Sequence, residues 1–227
     1  MVVITASALL FDMDGVLINS IPAVERVWRR WALEHGFDAD EVVQRCHGRP
    51  SIATVRDYLP DADHEAENRI IEQQEIADVS EVQPLPGACE LLSALPPERW
   101  AIVTSCTRPL AEVRILAAGL PRPHLLITSS DIVHGKPHPE PYLKAAALLG
   151  FSPDRCVVVE DVPAGIQAGK AAGARVLALR TTSSEKDLTA ADPNWICRDL
   201  RDLQVIPTTE GNDLADLTLE LADQDSR

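Results

Sequence analysis

The chain is short of positive charge. Lysine and arginine total 21 against 35 aspartates and glutamates, a formal net charge of −14. A surface of that sign repels nucleic acid and anionic membranes, so neither is expected as a main partner. It also repels a phosphorylated small molecule. A site for such a molecule has to gather local positive charge from a metal ion, lysine, arginine or helix N-termini. Aromatic residues make up only 4% of the chain, which leaves aliphatic side chains to build the core. The five cysteines (Cys46, Cys89, Cys106, Cys156, Cys197) are scattered, odd in number and never spaced Cys-x-x-Cys. That argues against a zinc site or a redox pair and fits a reducing cytosol. The N-terminal residues lack the basic region and apolar segment of a secretory signal, and no apolar run is long enough to span a membrane. The expectation is a cytoplasmic protein.

What is present is enough for one α/β core with a modest insertion: 227 residues, 45% of them hydrophobic. The run Ala8-Leu9-Leu10-Phe11 stops at Asp12-Met13-Asp14-Gly15, which reads as a buried parallel strand, from about Val2 to Asp12, entering a loop. From about Ser20 to Val82 the pattern is helical. Val24, Val27, Trp28, Trp31 and Ala32 recur at helical spacing between Pro22 and Gly36, and further helices are expected near Asp38–Gln44, Ser51–Tyr58 and His64–Ala77. From Pro86 strands and helices alternate. Strands are expected at Trp100–Thr104, Leu125–Thr128, Cys156–Glu160, Arg175–Leu179 and Trp195–Cys197, with helices between them. Alternation of this kind predicts an α/β fold, a Rossmann-like parallel sheet with helices on both faces. The helical stretch then forms a small all-helical cap inserted after the first strand. The expected boundaries are 1–18 and 83–227 for the core and 19–82 for the cap, with hinges near Asn19–Pro22 and Gln83–Pro86. The segment Leu217–Leu221 alternates apolar and polar residues and reads either as an edge strand or as a frayed end.

Polar groups recur where the expected strands end: Asp12 with Asp14, Thr104 with Ser105, Lys136 in the loop His134-Gly135-Lys136-Pro137, and Glu160 with Asp161. Each has an ordinary explanation taken singly. Asp-x-Asp-Gly can be a turn, Thr104 and Ser105 can cap a helix, Lys136 can be a solvated loop residue, and Glu160 and Asp161 can sit at a helix N-terminus. Strand ends of a parallel sheet share one edge, however, and ligands bind there. Together these groups offer one carboxylate to attack, others to hold a hard divalent ion, and a hydroxyl and an ammonium to bind phosphate oxygens.

The ordered set Asp12-x-Asp14-Gly15, Thr104-Ser105, Gly135-Lys136-Pro137 and Glu160-Asp161 resembles the four motifs of the haloacid dehalogenase superfamily, over about Ala8 to Thr182. The helical insertion resembles the C1 cap of its subfamily of sugar-phosphate phosphatases, phosphoglycolate phosphatases and β-phosphoglucomutase. The runs GKPHPEPYLKAAALLG and EDVPAGIQAGKAAG are close to that group's wording. The resemblance implies Asp12 as nucleophile and Asp14 as general acid/base. It implies Thr104, Ser105 and Lys136 as phosphate-binding residues. It also implies Mg²⁺ as cofactor, held by Asp12, Glu160, Asp161 and the main-chain carbonyl of Asp14.

Substrate contacts are expected from Asn19, from His47 and Arg49 in the cap, and from Arg108. The pattern is more like that of sugar- and polyol-phosphate phosphatases, glycerol-phosphate phosphatases included, than of phosphoglycolate phosphatase. The alternatives are a sugar phosphomutase of the β-phosphoglucomutase kind and a non-catalytic binding protein on the same scaffold. The partner expected is a small phosphorylated metabolite, and the protein itself a monomer or weak dimer.

Overall fold

The computed structural model describes residues 1–46, 50–206 and 216–222. In chain order the strands and helices are β1 (Val2–Ala6), β2 (Ala8–Phe11), β3 (Ile18–Asn19), α1 (Ile21–Glu34), α2 (Ala39–Cys46), α3 (Ser51–Tyr58), α4 (His64–Ala77), β4 (Gln83–Pro84), α5 (Ala88–Ala94), β5 (Trp100–Val103), α6 (Arg108–Ala117), β6 (Leu125–Ile127), α7 (Glu140–Leu149), β7 (Cys156–Glu160), α8 (Pro163–Ala171), β8 (Arg175–Leu179), α9 (Glu185–Ala190), β9 (Trp195–Cys197), β10 (Leu203–Ile206) and β11 (Leu217–Leu221).

Six strands form one sheet in the order β6-β5-β2-β7-β8-β9, and every pairing is parallel. Successive residues of β2 face opposite sides. Leu9 and Phe11 join an apolar layer with Ile102, Val159, Leu177 and residues of α5 and α6, whereas Ala8 and Leu10 join a second layer with Val103, Val158, Tyr142 and Ile166. This period-two division is why the strands read as continuous apolar runs: both faces are covered by helices. The chain leaves β2 toward β5 and β6 on one side and later crosses to β7, β8 and β9 on the other. The strand order therefore reverses at β2, and that is where an open α/β sheet has its crevice.

The expected first strand, from Val2 to Asp12, is broken at Ser7. The backbone N–H of this fully buried serine donates to the carbonyl of Arg155 and its hydroxyl to Asp216, so it leaves the ladder. β1 instead pairs antiparallel with β11, and β11 with β10, in a separate three-stranded sheet. The segment Leu217–Leu221 is therefore neither an edge strand nor a frayed end. It is the middle strand of that sheet, with Leu217, Leu219 and Leu221 buried.

The helices α1–α4 enclose an apolar cluster of their own: Val27, Trp28, Trp31, Ala32, Val42, Val43, Cys46, Val55 and Ile71. Trp28 and Trp31 meet edge to face at 5.5 Å, and the indole N–H of Trp31 donates to Glu67 at 3.1 Å. The chain enters these helices from β3 and leaves them into β4, and the two short strands pair antiparallel, Ile18 with Pro84 and Asn19 with Gln83.

Candidate active site

The central strand delivers Asp12 to the crevice, with its N–H bonded to Val159 of β7 at 2.9 Å. β5 delivers Thr104, which is buried and whose N–H bonds to Ile127 of β6 at 2.9 Å. β7 ends on Glu160, fully buried, and Asp161 follows it, almost fully buried. Parallel pairing holds Phe11 beside Ile102 and Val159, so Asp12 comes out level with Val103 and Glu160, and Thr104 and Asp161 follow one residue beyond.

Lys136 joins these strand ends from its loop. Its ammonium donates to Asp12 Oδ1 at 2.5 Å, to Glu160 Oε1 at 2.7 Å and to the carbonyl of Val103 at 3.0 Å, and its side chain is only 7% exposed. It also lies 5.0 Å from the ring centroid of Tyr142. The hydroxyl of Tyr142 donates to Glu160 Oε1 at 2.6 Å, and the N–H of Asp161 donates to Oε2 at 3.1 Å. Glu160 is thus the fixed counter-charge that orients the lysine. The loop is braced from outside: Glu140 accepts the N–H groups of Val133 and His134 at 2.8 and 2.9 Å and pairs with the His134 ring at 3.0 Å. Those bonds hold the Glu140 carboxyl down at about 2. His134, His138 and Glu140 are also close enough to share an ion; His134 Nδ1 pairs with the Glu140 carboxylate and His138 Nδ1 accepts the N–H of Glu140 at 3.2 Å.

Three buried carboxylates around one ammonium carry an excess of negative charge. Burial raises the Asp12 carboxyl to about 7 against the pull of Lys136. Burial and the charges of Glu160 and Asp12 push Asp161 well above the usual carboxylate range. Burial works against the Lys136 ammonium, but Asp12 and Glu160 outweigh it and hold its pKa well above that of a free lysine. Oxygens of Asp12, Glu160 and Asp161 lie within 4.8 Å of one another. Asp161 Oδ2 accepts from the hydroxyl of Thr182, while its Oδ1 is buried without a hydrogen-bond partner. A lone buried carboxylate oxygen in an all-oxygen cluster suits a small hard cation.

Two glycines make room for this arrangement. Gly15 has φ +84°, and a Cβ there would run into the Asp161 carboxylate; a Cβ on Gly165 of α8 would run into that of Glu160.

Asp14 lies beside the cluster and is turned to other partners. Its Oδ1 accepts from the hydroxyl of Ser20 at 2.5 Å and from Arg114 at 3.0 Å, and its Oδ2 lies 3.2 Å from the thiol of Cys106. Thr104 Oγ1 accepts the N–H of Cys106 at 3.1 Å. Ser105 is exposed. Asn19 accepts the N–H of Ile21 at 3.2 Å, opening α1. Arg108 is not brought into the cluster, because its guanidinium is bound to Asp131 at 2.7 Å and to the carbonyl of Leu126 at 3.1 Å. His47 and Arg49 lie outside the described residues. Sequence reasoning missed Tyr142, Glu140, Gly165, Thr182 and Arg114. The first three stand in the runs already singled out for their wording, but nothing local distinguishes them from core or surface residues.

A family model described as haloacid dehalogenase-like hydrolase matches residues 6–173. Hexitol phosphatase A of Escherichia coli is 43% identical over 188 residues, covering 81% of this chain and 87% of that protein. Glycerol-1-phosphate phosphohydrolase 2 of Saccharomyces cerevisiae is 40% identical over 188 residues, covering 78% of this chain and 75% of that protein. Among solved structures, a HAD hydrolase of family IA, variant 3, from Entamoeba histolytica aligns with a TM-score of 0.77 at 26% identity, over 86% of this chain and 94% of that one. The motif residues lie inside the matched span, and the sheet carries them to one crevice; the chain belongs to the haloacid dehalogenase-like hydrolases.

Proposed function

We propose that the protein is a phosphatase that hydrolyses small sugar or polyol monophosphates through an aspartyl-phosphate on Asp12. The observation that carries this reading is the junction of Asp12, Lys136 and Glu160 beside the unpartnered oxygen of Asp161, in a chain more than 40% identical to a protein named as a hexitol phosphatase. Asp12, Glu160 and Asp161, with the main-chain carbonyl of Asp14, are the residues assigned to Mg²⁺. When bound, the ion would offset the charge of the phosphoryl dianion.

Asp12 attacks phosphorus in line, and the bond to the leaving oxygen breaks. Lys136, with Thr104 and Ser105, holds the phosphoryl oxygens, so that the charge spread over them meets fixed positive and hydrogen-bonding groups. Asp14 gives its proton to the departing alkoxide. It then takes one from the water that attacks the aspartyl-phosphate, which restores Asp12 and releases inorganic phosphate. The helices α1–α4, within residues 19–82, act as a cap that moves on the β3–β4 ribbon to admit substrate and exclude water, over a core of 1–18 and 83–227. Asn19, His47 and Arg49 are assigned to substrate hydroxyls or phosphate on the strength of the sequence.

The experiment is a phosphate-release screen over hexose, hexitol and glycerol phosphates, each with Mg²⁺ and with EDTA, and with interconversion of glucose phosphates as a control arm. Metal-dependent release from polyol or sugar phosphates supports the reading. No release from any monoester, or interconversion without release, overturns it.

A further inference from the structure

Arg114 takes no part in the steps above, yet it is buried against the carboxylate assigned to proton transfer. It lies on α6 with its side chain only 5% exposed. Its Nη1 donates to Asp14 Oδ1 at 3.0 Å and to the sulfur of Cys106 at 3.3 Å, and its Nη2 lies 3.6 Å from Glu75 Oε2. A buried guanidinium needs anionic partners. This one draws them from two separate parts of the chain: the loop after β2 and helix α4 of the helical insertion. Among the described residues, no other cation lies within ion-pair distance of either acid. One turn before Glu75 on α4, Glu72 accepts from the hydroxyl of Thr107. The same side of α4 therefore meets the core at two points, one beside β5's end and one at Arg114.

The three groups that hold Asp14 come from different elements: Ser20 at the start of α1, Cys106 after β5, and Arg114 on α6. Of these only Arg114 is charged, and it is also ion-paired to Glu75 of α4. A proton-transfer group has to be held within about 0.5 Å of its working position to be effective. With Glu75 in place the guanidinium is divided between two carboxylates; with α4 lifted away it has Asp14 alone.

We propose that Arg114 is a positioning residue for Asp14, and that its second contact, to Glu75, ties the placement of that carboxylate to the seating of α4 against α6. The inference rests on the reading of Asp14 as the acid–base group. It makes closure of the helical insertion and readiness for proton transfer one event, because a single cation is shared between them.

The test compares two leaving groups in a single turnover with Mg²⁺ present. Nitrophenolate leaves p-nitrophenyl phosphate without needing a proton, whereas glycerol leaves glycerol 1-phosphate only with one. Arg114→Met should slow first-turnover release of glycerol at least tenfold and release of nitrophenolate less than threefold, and Arg114→Lys should restore part of the loss. Glu75→Gln should change the glycerol rate by threefold or more in the native background and leave it unchanged beside Arg114→Met. If Arg114→Met does not fold, Arg114→Lys and Glu75→Gln, alone and combined, carry the same comparison. Equal losses for the two leaving groups, no loss for either, or independent effects of the two sites would overturn the inference while leaving the hydrolase reading intact. A native chain that releases neither product would overturn the hydrolase reading and this inference with it.

Discussion

Replacing Lys136 by methionine keeps an unbranched side chain one atom shorter and removes the only cation bonded to Asp12 and Glu160 among the described residues. The ammonium makes three hydrogen bonds in a site where Asp12 is 12% exposed and Glu160 not at all. Removing one member of a buried pair leaves an uncompensated charge and costs about 3–5 kcal/mol. For a chain of this length that corresponds to a fall in Tm of roughly 6–20 °C.

The pH dependence has a definite sign. Asp12 titrates at about 7 in the folded protein against an ordinary 3.8. Between those values the folded form holds a proton that the unfolded form has released, so stability falls as pH rises through that window. Without Lys136 the carboxylates of Asp12 and Asp161 lose the opposing charge that holds them down and shift further up. The difference in Tm between native and variant should therefore be larger near pH 8 than near pH 5. Lys136 does not itself titrate in this range, because its pKa is raised well above 10.5. Thermal melts by circular dichroism in EDTA, at both pH values, measure the difference. Added Mg²⁺ should recover more of the loss in the variant than it adds to the native protein. Equal melting temperatures near pH 8, or a gap that widens toward pH 5, would refute the assignment of Lys136 as the charge that makes this cluster tenable.

Asp12→Asn should abolish phosphate release, to below about one part in a thousand of the native rate, with the far-UV spectrum unchanged; a near-native rate removes Asp12 as nucleophile. Glu75, raised to about 7 by burial and by Asp14 and Glu72 against the pull of Arg114, also makes the fold less stable as pH rises from 4.5 to about 7. Glu75→Gln should flatten that slope and gain up to about 3 kcal/mol near pH 8, read from urea titrations at several pH values; an unchanged slope contradicts it. Gly165→Ala sets helix propensity, worth about 1 kcal/mol in favour of alanine, against a collision with the Glu160 carboxylate. The collision should win, with a net loss of about 1–3 kcal/mol and a lower turnover, because Glu160 holds Lys136.

Much of the site was legible because its residues are fixed to strand ends. Asp12, Thr104, Glu160 and Asp161 follow apolar runs whose parallel pairing needs no more than the alternation of elements to anticipate. Lys136 was legible through its setting, Gly135 before it and Pro137 after it. Arg108 shows the limit of such reading. It stands four residues past Thr104, and only the turn at Ser129–Asp131, capped by Thr128 and Asp131, decides that its charge goes to Asp131. Arg114 is similar. On α6 it is one basic residue in the last turn, and its burial follows from α4, which lies far away in the chain.

The amino-acid order by itself determined the family, the parallel sheet, the helical insertion and the edge at which the acids and the lysine gather. The family follows from the resemblance of its four motifs; the sheet, the insertion and the edge depend on local period and on the rule that parallel strands end together. The tertiary structure alone decided three further points. Ser7 divides the first apolar run between two sheets. Leu217–Leu221 becomes an inner strand. The cation beside Asp14 is Arg114, shared with α4. Each of these depends on a partner distant in the chain, and hydrogen-bond and charge pairing over such separations leave no periodicity in the residues themselves.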